Sequence, residues 1–292
     1  MANLKEVRSR ITSVNSTMQI TSAMKMVSAA KLKRAQDAVT QMRPFSEKLS
    51  EVLSNVTASL DSSEGVYGPR GEVKNVLLIP VTSNRGLCGG FNAQIVKATN
   101  LLISSKYAGK NVKVLSIGKK VSEPMFKAGF AITDGSIPEN ANYIFDDLTY
   151  SVVEEVAQKV MDSYVDGQFD EIVLVYNTFK NAATQVVVEE QFLPIVSPEV
   201  KDDSSSIDYI FEPNKQDILD VIVPKSLKTQ LFKAVLDSFA GEQGARMTAM
   251  HKATDNASDL LKELKLTYNK ARQTAITTEI LEIVSGAEAM NA

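Results

Sequence analysis

The sequence predicts an α/β insert domain, Rossmann-like and built on a mostly parallel sheet, flanked by long N- and C-terminal helices that form an antiparallel coiled coil. Three observations predict it. Residues 1–43 contain neither Gly nor Pro, and an uninterrupted stretch of that length marks one long helix. No proline follows Pro224, so a second long helix can close the chain. Between these ends, apolar runs alternate with helical patterns, as in strands joined by crossover helices. Two long helices that both return to one insert must run antiparallel.

The N-terminal helix would be roughly 65 Å long at ~1.5 Å per residue. Leu4, Val7, Ile11, Val14, Met18 and Thr21 are spaced by threes and fours, the seam of a coiled coil. Pro44 should kink or interrupt it, with the pattern resuming through Leu49, Val52, Leu53 and Val56. This first shaft segment covers 1–60, and a glycine- and acid-rich loop follows at 61–72.

The insert covers 73–213. Its expected strands are 76–81, 112–117, 130–133, 171–179 and 185–194, with a short one at 209–211. Its expected helices are 91–105, 119–128 and 147–165. Alternation of this kind argues for a parallel sheet covered on both faces. The strands at 171–179 and 185–194 follow each other closely enough to form an antiparallel hairpin.

The second shaft segment covers 215–292. Its helix should run from 225 to about 285, on the order of 90 Å. Met247, Met250, Thr254, Ala257, Leu261, Leu264, Tyr268, Ala271, Ala275 and Thr278 continue the three-four spacing.

Composition narrows the function classes. With one cysteine, Cys88, the chain has no intrachain disulfide and no cysteine metal cluster, and a lone thiol suits a reducing compartment. No apolar run approaches the ~18 residues of a membrane span, and the N-terminus lacks a signal-peptide core. The net charge of −3 is unevenly spread. Residues 1–44 hold eight Lys and Arg against two acids, and 45–224 hold fifteen against twenty-five. A basic arm on an acidic insert suggests a different partner for each.

The stretch VTSNRGLCGGFNAQI, residues 81–95, has the look of a phosphate cradle. Its core RGLCGG matches neither GxxxxGK[ST] nor GxGxxG. No acidic residue stands between 101 and 112 to hold a ribose. Glycines after a strand also serve positive φ and close helix–sheet packing, and packing is the favoured reading. The single histidine, His251, falls beside seam residue Met250 and reads as a helix-surface residue. The carboxylates form no assignable acid–base pair, so no catalytic site, cofactor site or metal site is expected.

Four strings carry a family resemblance: LKEVRSRI at the start, ITSAMKMVSAAKLKRAQ at 20–36, TSNRGLCGGFN at 82–92, and ARMTAMHKATDNASDLLKELKLTYNKARQTAITTEILEIVSGAEA at 245–289. They resemble the gamma subunit of F-type ATP synthase, of the bacterial type, along essentially the whole chain. The resemblance implies a non-catalytic rotor shaft. Its partners would be the alpha and beta subunits of the catalytic hexamer, the epsilon subunit and the c-ring, with no nucleic acid and no direct membrane insertion. Proton flow through the ring would turn the shaft and drive the beta subunits through their states, and hydrolysis would do the reverse. Nucleotides would bind on alpha and beta, not on the glycine-rich turn. The chain would sit on the cytoplasmic face of a bacterial membrane.

The resemblance also implies contacts. Met24, Lys25 and Arg246 match positions facing an acidic lever of the beta subunit. Arg272, Gln273 and Thr277 match an upper contact with a beta-subunit loop. Lys31, Lys33 and Arg34, with Tyr209, would face the foot or the c-ring, although a plain solvated face fits the three basic residues equally well. The chain's end, LEIVSGAEAMNA, would lie alone in the hexamer bearing. Gly241 and Gly244 stand where relatives more often have Ser or Ala, which predicts a locally softer turn. The paired cysteines of chloroplast relatives are missing, so thiol control of that kind should not operate.

Three rivals are weighed against this reading. A dinucleotide enzyme needs a nucleotide on RGLCGG. A coiled-coil scaffold leaves the specific strings unexplained. The stalk of a vacuolar-type ATPase lacks an insert as large as 73–211.

Overall fold

A computed structural model describes residues 4–58, 66–133, 135, 137–182, 184–195 and 215–291. The expected strand at 209–211, and Tyr209 with it, lies outside these residues. The chain divides into two compact units, residues 1–28 with 247–292, and residues 29–246.

The first unit is a helix pair. Its two helical segments come from α1 (Leu4–Ala58) and α5 (Lys215–Asn291). The seam expected from the spacing is the covered face: Val7, Met250 and Leu261 are buried, and Leu4, Ile11, Val14, Met18, Thr21, Thr254, Leu264, Tyr268 and Ala271 are half-buried. Arg8 Nη2 donates to Tyr268 Oη at 2.7 Å, and Thr254 Oγ1 donates to Thr21 Oγ1 at 2.9 Å. The two pairs advance in opposite directions along the helices, so the pair is antiparallel. Ala275 and Thr278, expected on the seam, are exposed. Arg8 already lies opposite Tyr268, so α1 has almost run out at that level.

The second unit is built on four strands: β1 (Asn75–Pro80), β2 (Asn111–Val114), β3 (Glu171–Phe179) and β4 (Gln185–Leu193), in the order β2-β1-β3-β4. β1 pairs parallel with β2, Val76 opposite Val112, and parallel with β3, Leu77 opposite Ile172. β3 and β4 form the expected antiparallel hairpin, Val175 opposite Glu189.

Alternate residues of a strand point to opposite faces, and both faces here are apolar. Leu77, Ile79, Ile172 and Leu174 point into one core, and Val76, Leu78, Val173 and Val175 into the other. The second core is covered by α2 (Phe91–Ser104) and α3 (Lys119–Lys127) through Phe91, Ile95, Leu102, Val121 and Met125. The first is covered by α4 (Tyr150–Val165) through Val153, Val156, Val160 and Tyr164. Leu227, Leu231, Ala234 and Val235 of α5 complete that same core. The base of the last helix is therefore part of the sheet's own packing.

Four expectations are corrected. Pro44 does not interrupt α1. The helix bond that its missing N–H forfeits would have gone to Thr40, an exposed residue that water can serve. α5 begins at Lys215, with Pro224 inside it, rather than at 225. Residues 130–133 form only a single bridge, Val114 to Ala131. There the chain is still leaving α3: the Phe130 N–H bonds Met125 O, and Gly129 turns at φ +80°. β2 ends at Val114, although Leu115 and Ile117 still donate to Leu78 O and Pro80 O of β1. At the end of that stretch, Gly118 has φ +104°, and a Cβ would stand 2.2 Å from Thr82 O, so no other residue fits.

Candidate functional site

In open α/β sheets, ligands bind outside the carboxyl ends of the strands, where the strand order reverses. Here β1 connects through α2 to β2 on one side, and the chain then crosses to β3 on the other side of β1. The crevice therefore opens above β1 and β3, under the glycine-rich turn at 82–92.

That crevice is filled by α5. Ser238 Oγ donates to Val81 O, just past β1, at 3.2 Å. A Cβ on Gly241 would meet Gln185 Cγ at 3.3 Å and Phe91 Cε2 at 3.4 Å. A Cβ on Gly244 would meet the Ala182 backbone at 3.2 Å and Phe179 Cε2 at 3.4 Å. The two glycines thus let the helix lie close on the ends of β3 and β4 and the start of α2. They are packing glycines on a buried face, which accounts for them better than a soft turn does.

One turn further, Arg246 is 7% exposed. Its Nη1 donates to Glu242 Oε1 at 2.5 Å, and its Nη2 donates to Arg85 O at 3.0 Å and Gly86 O at 3.2 Å. The turn thus directs carbonyls at a cation. A phosphate cradle instead directs N–H groups at an anion. The Ser83 N–H is itself taken by Asn92 Oδ1 at 3.0 Å, and Asn92 Nδ2 donates to Cys88 Sγ at 3.0 Å. Leu87, at the tip, is 65% exposed with φ +65°.

Two acids are buried against α5's neighbours. Burial pushes the Glu242 carboxyl upward, and Arg246, with Lys31 and Arg85 behind it, pulls it back. Burial likewise raises Asp237, opposed by Arg43, whose Nη2 lies 3.9 Å from Asp237 Oδ1.

The residues singled out in the sequence are distributed as follows. Met24 and Lys25 are half-buried on α1 in the first unit, whereas Arg246 lies in the second. Arg272, Gln273 and Thr277 are exposed on α5, and Thr277 Oγ1 donates to Gln273 O at 2.9 Å, one turn back. Lys31, Lys33 and Arg34 are exposed on α1. His251 is exposed, with Nδ1 3.3 Å from Asp255 Oδ2. The residues sequence reasoning missed are Ser238, Glu242, Asp237 and Arg43. Their available signal was the Gly241–Gly244 pair, whose spacing of three puts both on one helix face.

Among the described residues, no group of three or more His, Cys, Asp or Glu side chains is placed to hold a metal ion, and no helix is long and apolar enough to cross a membrane. The fold is an antiparallel helix pair in one unit and an α/β domain in the other, and the single helix α5 runs through both. Residues 3–290 match the family model described as ATP synthase. The chain is 56% identical over 292 residues to the ATP synthase gamma chain of Flavobacterium johnsoniae, covering 100% of both. It is 51% identical to that of Cytophaga hutchinsonii, again covering 100% of both. The chain belongs to the ATP synthase gamma-chain family. Its fold is similar to a chain in the rotor of Euglena gracilis mitochondrial ATP synthase, with a TM-score of 0.66, 20% identity, and 94% of this chain and 98% of that one covered. It is also similar to a chain in the central stalk and c-ring of the Tetrahymena thermophila enzyme, with a TM-score of 0.56, 24% identity, and 80% and 99% covered.

Proposed function

We propose that this chain is the central rotor shaft of an ATP synthase and carries no catalytic site of its own. It couples ion-driven rotation of a c-ring to conformational change in the catalytic beta subunits, and the reverse on hydrolysis. One observation carries the reading. Beyond Ala271 every described residue of α5 is exposed, including Ile276, Ile280, Leu281, Ile283 and Val284. A helix with that many open apolar side chains, and no companion helix among the described residues, needs a surrounding protein to cover them. A hexamer of alpha and beta subunits closed around the shaft's end supplies one.

Within this reading, 1–60 and 215–292 form the shaft and 73–213 the foot, which meets epsilon and the c-ring. Arg272, Gln273 and Thr277 contact a beta-subunit loop, where guanidinium and amide groups can bond carboxylates. Met24 and Lys25 meet the beta lever, and Arg246 serves it indirectly, through the turn that its guanidinium holds. Lys31, Lys33, Arg34 and Tyr209 serve the foot or the ring. The assembly stands on the cytoplasmic face of a bacterial membrane. Each shaft angle favours a different beta conformation, and the work comes from that difference in contact free energy.

The test is ATP-driven rotation with cognate alpha and beta subunits. Cys88, 1% exposed, reacts too slowly to carry a bead, so the bead is tied to an Ala108→Cys variant, at an exposed position. Stepwise rotation that stops without ATP is the expected result. Failure to co-assemble with alpha and beta overturns the reading.

A further inference from the structure

We propose that Arg246 is a positioning residue: it pins the turn at 83–90 onto α5, so that the insert domain's first crossover and the shaft helix move as one. This rests on the rotor reading for its purpose but not for its test.

The argument starts from geometry. Arg85 and Arg246 are 161 residues apart in sequence, and the guanidinium joins them directly. Its fork spends one arm on Glu242 Oε1 at 2.5 Å and the other on the carbonyls of Arg85 at 3.0 Å and Gly86 at 3.2 Å, with Nε also aimed at Gly86 O at 3.4 Å. A planar guanidinium holds its donors in a fixed fork that reaches a carboxylate and two carbonyls together, and the point charge of an ammonium does not reproduce that geometry. Arg246 and Glu242 are both nearly covered, so charge attraction between them is little screened.

The turn it holds is under constraint. Leu87 sits at φ +65°, uncommon for a residue with a side chain, and holds that side chain out into the open. Next to it, Cys88 is tucked in at 1% exposed beneath Asn92 and Ser83. Without the tether the Gly86 carbonyl loses the Arg246 donors, the Arg85 carbonyl keeps only Ser83 Oγ from within the turn itself, and the turn can relax away from α5. Arg246 then acts through the backbone it holds, and its charge is not on offer to a partner. This differs from a direct contact between the guanidinium and an acidic lever.

Cys88 is the only cysteine, so its alkylation rate in the full chain, free of other subunits, reports the turn. The expected result is a rise of about tenfold or more for R246Q, a smaller rise for R246K, and a change within about twofold for E242Q, whose amide oxygen still accepts from Arg246. Thermal unfolding run in parallel identifies any variant that is globally loosened. If R246Q does not fold, R246K carries the test, with amide exchange at residues 85–88 as the second readout. A rate for R246Q or R246K equal to the parent's overturns the proposal. So does a rise seen only when beta subunits are present, which would make Arg246 a direct contact. Failure of the chain to assemble with alpha and beta would overturn the rotor reading and leave the thiol result standing.

Discussion

Residues 227–246 and 272–290 lie on one continuous helix, yet they meet opposite surroundings. In the lower stretch, Leu227, Leu231, Ala234 and Val235 fill a sheet core, and Ser238, Gly241, Gly244 and Arg246 close the crevice above the strands. In the upper stretch nothing among the described residues covers Ile276, Ile280, Leu281 or Ile283. Both stretches form helix, so helix propensity does not distinguish them. What differs is residue size against neighbour distance. The lower stretch uses small residues where backbone approaches backbone, and the upper stretch carries full-sized apolar side chains. A helix can thus be an internal packing element at one end and a surface for other proteins at the other.

The largest effect should separate the two stretches directly. Leu231→Ala, at a fully buried site, should cost about 2–5 kcal/mol in denaturant unfolding of the full chain. Leu281→Ala, 60% exposed, should stay within about 0.5 kcal/mol. Equal costs would mean that the upper stretch is covered within the chain after all.

Next comes the close approach. Gly244→Val forces atoms against the Ala182 backbone and should cost about 1–3 kcal/mol through overpacking. Amide exchange at 241–244 should also be slower than at 272–280. Equal or faster exchange would restore the soft-turn expectation.

A smaller effect tests the buried acid. Asp237 is 2% exposed, and its Oδ1 has no hydrogen-bond partner among the described residues. Burial raises its carboxyl above the ordinary 3.8, with Arg43 and Lys233 opposing and Glu190 adding to the rise. The folded form therefore holds this proton more tightly than the unfolded chain does. That contribution is fully present below pH 3.8 and is lost as pH rises through the folded value. Asp237→Asn cannot lose it. Relative to the parent, the variant should gain thermal stability as pH is raised from about 4 toward neutrality. A difference that does not vary with pH would place the charge in water.

The smallest effect is at the helix end. Gly286 has nothing within 4 Å of a built Cβ. Gly286→Ala should raise the helix content of the end, by circular dichroism, with a gain of about 0.5–1 kcal/mol at most. The same change at Gly244 should not stabilise.

Sequence alone determined what is periodic and local. The seam from Leu4 to Thr21 and from Met250 to Ala271 was legible because three-four spacing puts those residues on one face whatever the partner is. β3 was legible to its ends, Glu171–Phe179, because an apolar run between turn signals has few alternatives. The family strings were legible too, and they account for the identity. Tertiary structure alone decided that 130–133 makes one bridge rather than a strand, that α5 runs through Pro224, and that its base belongs to the sheet core. It also decided which groups Arg246 bonds. A solvated arginine and one that clamps a turn have the same local pattern. The difference lies in carbonyls 160 and 161 positions away in the chain, brought within hydrogen-bond reach only when the helix has settled into the crevice.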